Sequence, residues 1–352
     1  LQILAVVVLL LVGLGIALVV PRLASIRCLL GFQAAVGDDL EEGATPPDGF
    51  ELLEDEARFG VPRAWLIPAE RKRAPTIVFV HGVAPEGIAD GRIIHAARAF
   101  HGSGFTVVVP EFPSLVDPKV QGEPGGGLTQ VLQAVTDGTI DSVHPGRVGV
   151  VAISVGGGVA LRGLARYRAD GGTGVRAALL IGAADDIRRP AEAWFAAADH
   201  AEESDGSLLW EQQNAASFAR NFLVRAGLDG YIESEADLAL LRTWLEDDPL
   251  PRTPLEGLAT ERAQELADLV LAAPEQRGAA REAILARAAH RVENLSPALW
   301  SDELVHLRGT ANFLMHGHGD PLVPLSESGH LAERLREHTI VSGLESRMVG
   351  HT

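Results

Sequence analysis

A serine lies between small residues directly after the apolar run at 148–153. Ser154 has Ala152 two residues before it and Gly156 two residues after it. Small residues at these positions let a strand and the following helix approach closely, so that a serine at the tip of the turn has an exposed hydroxyl. The amide of Val155 would then point towards a developing oxyanion. The pattern predicts a nucleophile elbow and covalent catalysis through a serine.

Three further segments carry groups that such a serine needs. Upstream, a β-branched run at 76–80 ends in a turn that begins with His81. Downstream, the apolar run 311–315 leads to Asp320 in a turn rich in proline, and His351 follows after room for one helix and one strand. A serine hydroxyl is a weak nucleophile until an imidazole takes its proton, and a carboxylate orients that imidazole. The four segments together favour acyl transfer chemistry.

The order of oxyanion loop, serine, acid and histidine is the order of the α/β-hydrolases, and residues 50–351 resemble that superfamily. The motifs are most similar to its dienelactone-hydrolase-like and esterase-like branches. The resemblance implies an α/β fold with a mostly parallel sheet flanked by helices. It also implies that Ser154 is the nucleophile, Asp320 the triad acid and His351 the general base.

The same resemblance implies an oxyanion hole formed by the backbone amides of Val83 and Val155. The chain departs from the family pattern at Ala152, where glycine is usual. It also ends at Thr352, whereas family members continue into a closing helix after the histidine. We therefore expect a truncated C-terminus.

Other residues offer alternatives to these roles. Asp185 and Asp186 also follow a strand and could supply the triad acid, but the proline-bracketed turn and the spacing to the histidine favour Asp320. His316 and His318 could form a metal site with Asp320, although a turn that carries the acid explains them, and we expect no metal and no cofactor. His81 is expected to be a structural residue of the oxyanion turn.

Strands alternate with helices in residues 50–185, which predicts the first part of an α/β core with a mostly parallel sheet. The expected elements are an entry hairpin at 50–70, a helix at 91–102, a strand at 105–109, a helix at 128–141 after the glycine turn 122–127, and a strand at 176–181.

Residues 186–308 show helical periodicity and no strand pattern, so they predict a helical lid inserted before the second part of the core at 309–352. Aromatic residues concentrate in this lid. They could line an acyl or aromatic substrate pocket, but the lid's own core is the favoured interpretation. The predicted lid helices are 190–200, 208–226, 235–246, 255–272 and 275–292, and the aromatic residues are Trp194, Phe195, Trp210, Phe218, Phe222, Tyr231 and Trp244.

The N-terminal residues 1–22 contain an uncharged apolar run long enough to cross a bilayer, which predicts a single-pass transmembrane helix or signal-anchor. A cleaved signal peptide is the alternative, but no convincing cleavage site follows. Residues 23–49 are predicted to be an acidic linker. Arg22 and Arg27 favour a cytoplasmic position for the rest of the chain. The single cysteine, Cys28, excludes an intrachain disulfide.

A net charge of −17 argues against nucleic acid as a partner, because phosphate binding needs a basic surface. The expected function is a membrane-anchored serine hydrolase that cleaves an ester, or a thioester or amide, in a small-molecule or lipid-like substrate. One alternative is an acyltransferase or peptidase with the same triad. Another is a non-catalytic α/β-hydrolase-like binding module tethered to the membrane.

Overall fold

The computed structural model describes residues 49–117, 123–196, 232–247, 253–271 and 288–346, with residues 224, 225, 228, 282, 285 and 286 between these ranges. The predictions for the transmembrane segment, for the linker before Gly49, for most of the helix at 208–226 and for His351 lie outside the described residues. No helix within the described ranges is long and apolar enough to cross a membrane.

A single eight-stranded sheet forms the centre of the molecule. Its strands are β1 (Glu51–Leu53), β2 (Ala64–Ile67), β3 (Ala74–Val80), β4 (Thr106–Pro110), β5 (Val143–Ile153), β6 (Val175–Ile181), β7 (Ala311–Gly317) and β8 (Ile340–Ser346). The order across the sheet is β1-β2-β4-β3-β5-β6-β7-β8. Only β2 runs antiparallel to its neighbours, β1 and β4. This mostly parallel order confirms the predicted α/β class and is the arrangement of the α/β-hydrolase fold.

The strands in the middle of the sheet are apolar on both faces because helices cover both faces. Every residue of β4 is buried, and so is nearly every residue of β3. Near-continuous runs of valine and isoleucine are typical of such doubly covered parallel strands. Because β3 to β8 run parallel, their carboxyl ends meet at one edge of the sheet. The oxyanion loop, Ser154 and Asp320 follow strands at this edge.

Helices connect these strands and form the two outer layers. They are α1 (Glu56–Phe59), α2 (Gly91–Gly102), α3 (Pro113–Val116), α4 (Pro124–Thr136), α5 (Gly156–Ala169), α6 (Arg188–Ala196), α7 (Glu235–Asp247), α8 (Glu261–Leu271), α9 (Ala289–Leu295) and α10 (Leu325–Arg336). Helix α2 packs on one face of the sheet through Ile93, Ile94 and Phe100. Helices α4, α5 and α10 contribute to the core on the opposite face.

Helix α4 starts earlier than its predicted start at residue 128. Pro124 occupies its first turn, where a proline costs no hydrogen bond, and the glycines that we assigned to a turn lie inside the helix. A Cβ atom at Gly127 would lie 2.9 Å from the carbonyl oxygen of Gly60. The glycines therefore allow close packing of the helix against α1 rather than a loop.

Helix α8 begins at Glu261 and not near residue 255 as predicted. The carboxylate of Asp237, in α7, accepts hydrogen bonds from the amides of Ala259 and Thr260 at 2.8 and 2.9 Å. A side chain from another helix thus satisfies the amides before the first turn. Periodicity within 255–272 could not reveal this partner.

Helix α4 also ends at Thr136, before its predicted end at residue 141. The other described boundaries agree more closely with the predictions. The entry hairpin is present as β1 paired with β2, with the short α1 between the two strands. Between the predicted acid and histidine lie one helix, α10, and one strand, β8, as the spacing requires. Of the predicted helix at 275–292, only part lies in described residues, and the described helix there is α9, followed by 3-10 turns at Pro297–Leu299 and Ser301–Leu307.

Candidate active site

Ser154 lies in the tight turn between β5 and α5, and its backbone is in the left-handed region with φ of 55°. Among the described non-glycine residues only Arg73 shares this feature. A non-glycine residue with positive φ is strained and persists only where the surroundings enforce it. Its amide donates to the carbonyl of Ile181 at 2.8 Å, and its carbonyl accepts from the amide of Gly157 at 2.9 Å. These bonds hold the predicted elbow in place.

The three glycines that follow Ser154 allow α5 to approach three different neighbours. A Cβ atom at Gly156 would lie 2.4 Å from the carbonyl oxygen of His81. At Gly157 a Cβ atom would meet the Cβ of Ala183 at 2.4 Å, and at Gly158 it would meet the carbonyl oxygen of Leu295 at 2.4 Å. Each contact is too short for any side chain, so steric exclusion explains this glycine run.

The turn after β3 brings Gly82 against the serine. A Cβ atom on Gly82 would lie 3.1 Å from the Cβ of Ser154. Among the described residues, no carbonyl accepts a backbone hydrogen bond from the amide of Val83 or of Val155. These are the two amides that we predicted for an oxyanion hole.

His81 is almost fully buried and holds this turn. Its Nδ1 lies 2.7 Å from the carbonyl oxygen of Gly82, and its Nε2 accepts a hydrogen bond from the amide of Phe112 at 3.3 Å. This pair of contacts requires a neutral ring with the proton on Nδ1. Burial lowers the pKa of His81, which favours the same neutral form. Its contacts are those of the structural residue that we expected.

A residue that the sequence analysis missed also holds this loop. The buried carboxylate of Glu111 accepts the amide of Ile88 at 3.1 Å and pairs with Arg63 through two hydrogen bonds of 2.7 and 2.8 Å. The amide of Ala84 donates to the carbonyl of Leu115 at 3.1 Å. The signal available in the sequence was the position of Glu111 directly after β4, at the same sheet edge as the serine.

Asp320 lies in the turn between β7 and α10, and its side chain is only 3% exposed. Its Oδ1 accepts hydrogen bonds from the amides of Leu322 and Val323 at 2.9 and 2.8 Å. Its Oδ2 lies 3.3 Å from Nε2 of His316. The predicted acid is therefore a buried carboxylate in a turn that it organises itself.

His316 is buried at the end of β7 and does not face solvent. Its Nε2 lies 2.8 Å from the carbonyl oxygen of Val323, and its Nδ1 lies 2.5 Å from Oγ of Ser328. Burial disfavours its charged form, but hydrogen bonds to Asp320 and to the Val323 carbonyl outweigh burial and raise the pKa of His316. His318, by contrast, lies at the surface within 3.4 Å of Glu345. The two histidines thus face different surroundings.

Asp185, our alternative for the acid, is fully buried in a cluster of charged residues. Its carboxylate binds Arg334 at 2.6 Å and Arg189 at 2.9 Å. The buried carboxylate of Glu327 accepts the amides of Asp185 and Asp186 at 3.1 and 3.0 Å. Asp186 forms its own pair with Arg188. Asp185 thus holds the start of α6 against α10, whereas the carboxylate of Asp186 is occupied by a local pair with Arg188.

Ser154 and Asp320 both follow strands at the same edge of the sheet. The amide of Gly182 bonds to the carbonyl of Met315 at 2.9 Å, so the ends of β6 and β7 are joined beside Ser154. Two strand spacings, about 10 Å, separate the backbones of β5 and β7. At the end of β8, Ser346 pairs with Gly317 of β7. The chain thus leaves β8 next to the turn of Asp320 shortly before His351, which itself lies outside the described residues.

A cavity of about 500 Å³ lies at the opposite edge of the sheet, far from Ser154. It is formed by the end of α4, the start of β5 and the loop between α5 and β6. Its lining includes Asp137, Tyr167, Asp170 and Arg176. Ligands of open α/β sheets bind at the carboxyl ends of the strands, so the cavity does not mark the candidate site.

No family model matches the chain, and no curated protein is similar to it in sequence. Solved structures with a similar fold include a hyperthermophilic esterase from Pyrobaculum calidifontis, at 15% identity and a TM-score of 0.47, with 96% of this chain and 85% of that chain covered. A carboxyl esterase 2 from Tuber melanosporum is 13% identical with a TM-score of 0.47, covering 90% of this chain and 82% of that one.

An acylaminoacyl peptidase from Pyrococcus horikoshii is 14% identical with a TM-score of 0.42, covering 82% of this chain but 35% of that chain. The chain thus spans about a third of the length of this peptidase, and similarly 36% of a puromycin-hydrolyzing peptidase from Mycobacterium tuberculosis. Identities and TM-scores this low assign no function to the present chain.

Proposed function

We propose that the protein is a serine hydrolase that cleaves a carboxylic ester, with Ser154 as nucleophile, His351 as general base and Asp320 as the acid that orients the base. The observation that carries the proposal is the strained backbone of Ser154, with φ of 55° at the tip of the turn between β5 and α5. Strain of this kind is retained at functional sites where it presents a reactive group.

The reaction would proceed in two halves. The Oγ atom of Ser154 attacks the ester carbonyl while its proton passes to His351, and the resulting oxyanion accepts hydrogen bonds from the amides of Val83 and Val155. The imidazolium then protonates the departing alcohol, leaving an acyl-serine. Water attacks this acyl group with His351 as base, and the acid and the free serine are released.

The surroundings of the two candidate acids support Asp320. The carboxylate of Asp185 is paired with two arginines, so its oxygens already have partners other than an imidazole. Two backbone amides bind Oδ1 of Asp320, and its Oδ2 is directed to the imidazole of His316. We propose that Oδ2 also accepts a hydrogen bond from His351. The chain leaves β8 at Ser346 beside this turn, which supports a base that follows closely in the sequence, as His351 does.

The helical segment between β6 and β7 is proposed to cover this edge as a lid over a small-molecule or lipid-like acyl substrate. Helix α6 supports this placement, because it begins beside the charged cluster at the end of β6 and contacts the turn of Asp320 through Trp194. We also propose that the N-terminal apolar segment anchors the enzyme to a membrane by a single pass.

Labelling with a fluorophosphonate tests the proposal without knowledge of the substrate. The full chain is treated with the probe, and the modified peptide is identified by mass spectrometry. We expect label on Ser154 and none in Ser154→Ala. Ser103→Ala is the matched control, because Ser103 lies at the end of α2 with its hydroxyl bonded to the carbonyl of Ala99, and it should label normally.

Failure of well-folded protein to react, or reaction at a different serine, would refute the proposed nucleophile. If Ser154 reacts, a panel of ester, thioester and amide substrates follows. The ester proposal requires that ester hydrolysis exceeds amide hydrolysis in this panel. Transfer of the acyl group to an added alcohol or amine in preference to water would replace hydrolase by acyltransferase.

A further inference from the structure

We propose that Trp194 and His316 are positioning residues that together hold the turn of Asp320, so that the first helix after β6 sets the orientation of the acid. This inference rests on the proposed function, because it concerns the same triad. We name the segment Asp320–Val323 the acid turn.

All four backbone polar groups of Leu322 and Val323 are bound by side chains. The two amides donate to Oδ1 of Asp320 at 2.9 and 2.8 Å. The carbonyl of Leu322 accepts a hydrogen bond from Nε1 of Trp194 at 2.6 Å. The carbonyl of Val323 accepts from Nε2 of His316 at 2.8 Å. Three side chains from different elements therefore determine the path of two residues.

The donors to the acid turn are buried, so water is a poor substitute for them. Trp194 is 5% exposed and His316 is 1% exposed. Removing one partner from a buried pair leaves the other unsatisfied, and the structure then rearranges to find a new partner. The carbonyl of Leu322 belongs to the peptide unit that carries the amide of Val323, so its rearrangement rotates an amide that holds Asp320. Loss of His316 also removes the contact of its Nε2 with Oδ2 of Asp320 at 3.3 Å.

Ion pairs join the start of α6 to the body of the protein, and we infer that they fix the position of Trp194. Arg189, in the first turn of α6, binds both Asp185 and Glu327. Glu327 lies in the first turn of α10, the helix that directly follows the acid turn. Helix α6 thus contacts the acid turn through Trp194 and helix α10 through Arg189.

The contacts of the acid turn should affect the rate of catalysis more than the stability of the fold. Oδ1 of Asp320 is fixed by the two amides, so the direction of Oδ2 follows the conformation of the acid turn. A carboxylate displaced by a fraction of an ångström no longer orients the imidazole, and misplacement of about 1 Å costs up to about 10²-fold in rate. The binding of a substrate does not depend on this orientation.

Trp194→Phe tests the inference because it removes the indole N–H and retains an aromatic ring. Trp300→Phe is the matched control, since Trp300 is 3% exposed and its Nε1 also donates to a backbone carbonyl, that of Glu293, at 2.9 Å. The measurement is the rate of fluorophosphonate labelling at Ser154 as a function of probe concentration, together with the urea midpoint of each variant.

We expect the maximal labelling rate of Trp194→Phe to fall about tenfold with an unchanged half-saturating probe concentration. Trp300→Phe should label within about twofold of the unaltered protein. Its urea midpoint should fall about as much as that of Trp194→Phe. Equal labelling rates in the unaltered protein and Trp194→Phe would overturn the inference. An equal loss in both variants would also overturn it, because the effect would then be general destabilisation.

A second pair of variants keeps the inference testable if Trp194→Phe does not fold. His316→Gln retains a donor near the position of Nε2, whereas His316→Leu has none. We expect Gln to restore most of the labelling rate that Leu loses, and equal rates in the two variants would contradict a positioning role. If the unaltered protein is not labelled, the proposed function itself fails and this inference fails with it.

Discussion

The two halves of the candidate site are built in different ways. The nucleophile region, residues 81–90 and 152–158, is held mainly by backbone conformation and by the absence of side chains at its glycines, as the positive φ of Ser154 and the contacts of Gly156 show. Polar contacts of His81 and Glu111 support its loop at 81–90. The acid region, residues 185–194 and 316–334, is held by side chains that carry charges or hydrogen-bond donors. The nucleophile region thus depends mainly on steric exclusion, and the acid region depends on paired polar groups.

The buried histidines of the two regions show the same contrast. His81, in the nucleophile region, is held neutral, because burial lowers its pKa and its Nε2 accepts a backbone amide. His316, in the acid region, has a raised pKa, because a carboxylate and a carbonyl favour its charged form despite its burial. We therefore expect added volume to impair the nucleophile region, whereas the loss of polar partners should impair the acid region.

The largest expected effect separates the two buried aspartates of the acid region. Asp320→Asn should lower kcat about 10⁴-fold, because an amide favours the wrong tautomer of the base. Asp185→Asn should retain turnover but lose about 1 to 3 kcal/mol of stability, because it weakens the charged hydrogen bonds to Arg334 and Arg189. Ester turnover and urea unfolding of both variants measure the two effects, and the opposite pattern would reassign the acid.

Added volume in the nucleophile region should have the next largest effect. Gly156→Ala places a Cβ atom 2.4 Å from a backbone carbonyl of the oxyanion loop, and we expect a loss of about 3 kcal/mol. Gly329→Ala is the control, because a Cβ atom there meets nothing within 4 Å, and at this exposed position of α10 it should stabilise by about 0.5 to 1 kcal/mol. Urea denaturation of both variants measures the changes. Equal stability of the two variants would show that the oxyanion loop adapts and that the comparison is wrong.

The smallest effect is in the pH dependence of stability, where the two histidines should act with opposite sign. The unfolded chain protonates His81 near its ordinary pKa of 6.5 while the folded chain does not, so its contribution to stability is lost as pH falls below that value. The contribution of His316 is complete below 6.5 and is lost as pH rises through its raised folded pKa.

The free energy of unfolding between pH 5 and 8, measured for the unaltered protein, His81→Asn and His316→Gln, tests this difference in sign. The stability advantage of the unaltered protein over His81→Asn should shrink as the pH falls. Its advantage over His316→Gln should grow as the pH falls. Parallel pH profiles for the two variants would remove the electrostatic distinction between the regions.

The sequence alone determined the order of strands and helices, the elbow at Ser154 and the turn at Asp320. These features depend on local patterns: β-branched runs make strands, a serine between small residues makes a tight turn, and proline brackets a loop. The errors have local causes too, since the glycines before residue 128 resemble a turn in sequence but serve close helix packing, as the contact of Gly127 with Gly60 shows.

The contacts that hold the acid region are visible only in the folded chain. The donor to Leu322 is a tryptophan far away in sequence, and Asp185 finds its partners in Arg189 and Arg334 from two different helices. No local pattern in the sequence specifies the contacts of Trp194 and Arg334, because hydrogen bonds and ion pairs between distant residues depend on how the helices pack. A close approach of two backbones leaves glycines that are visible in the sequence, whereas the partners of a buried polar group depend on the fold.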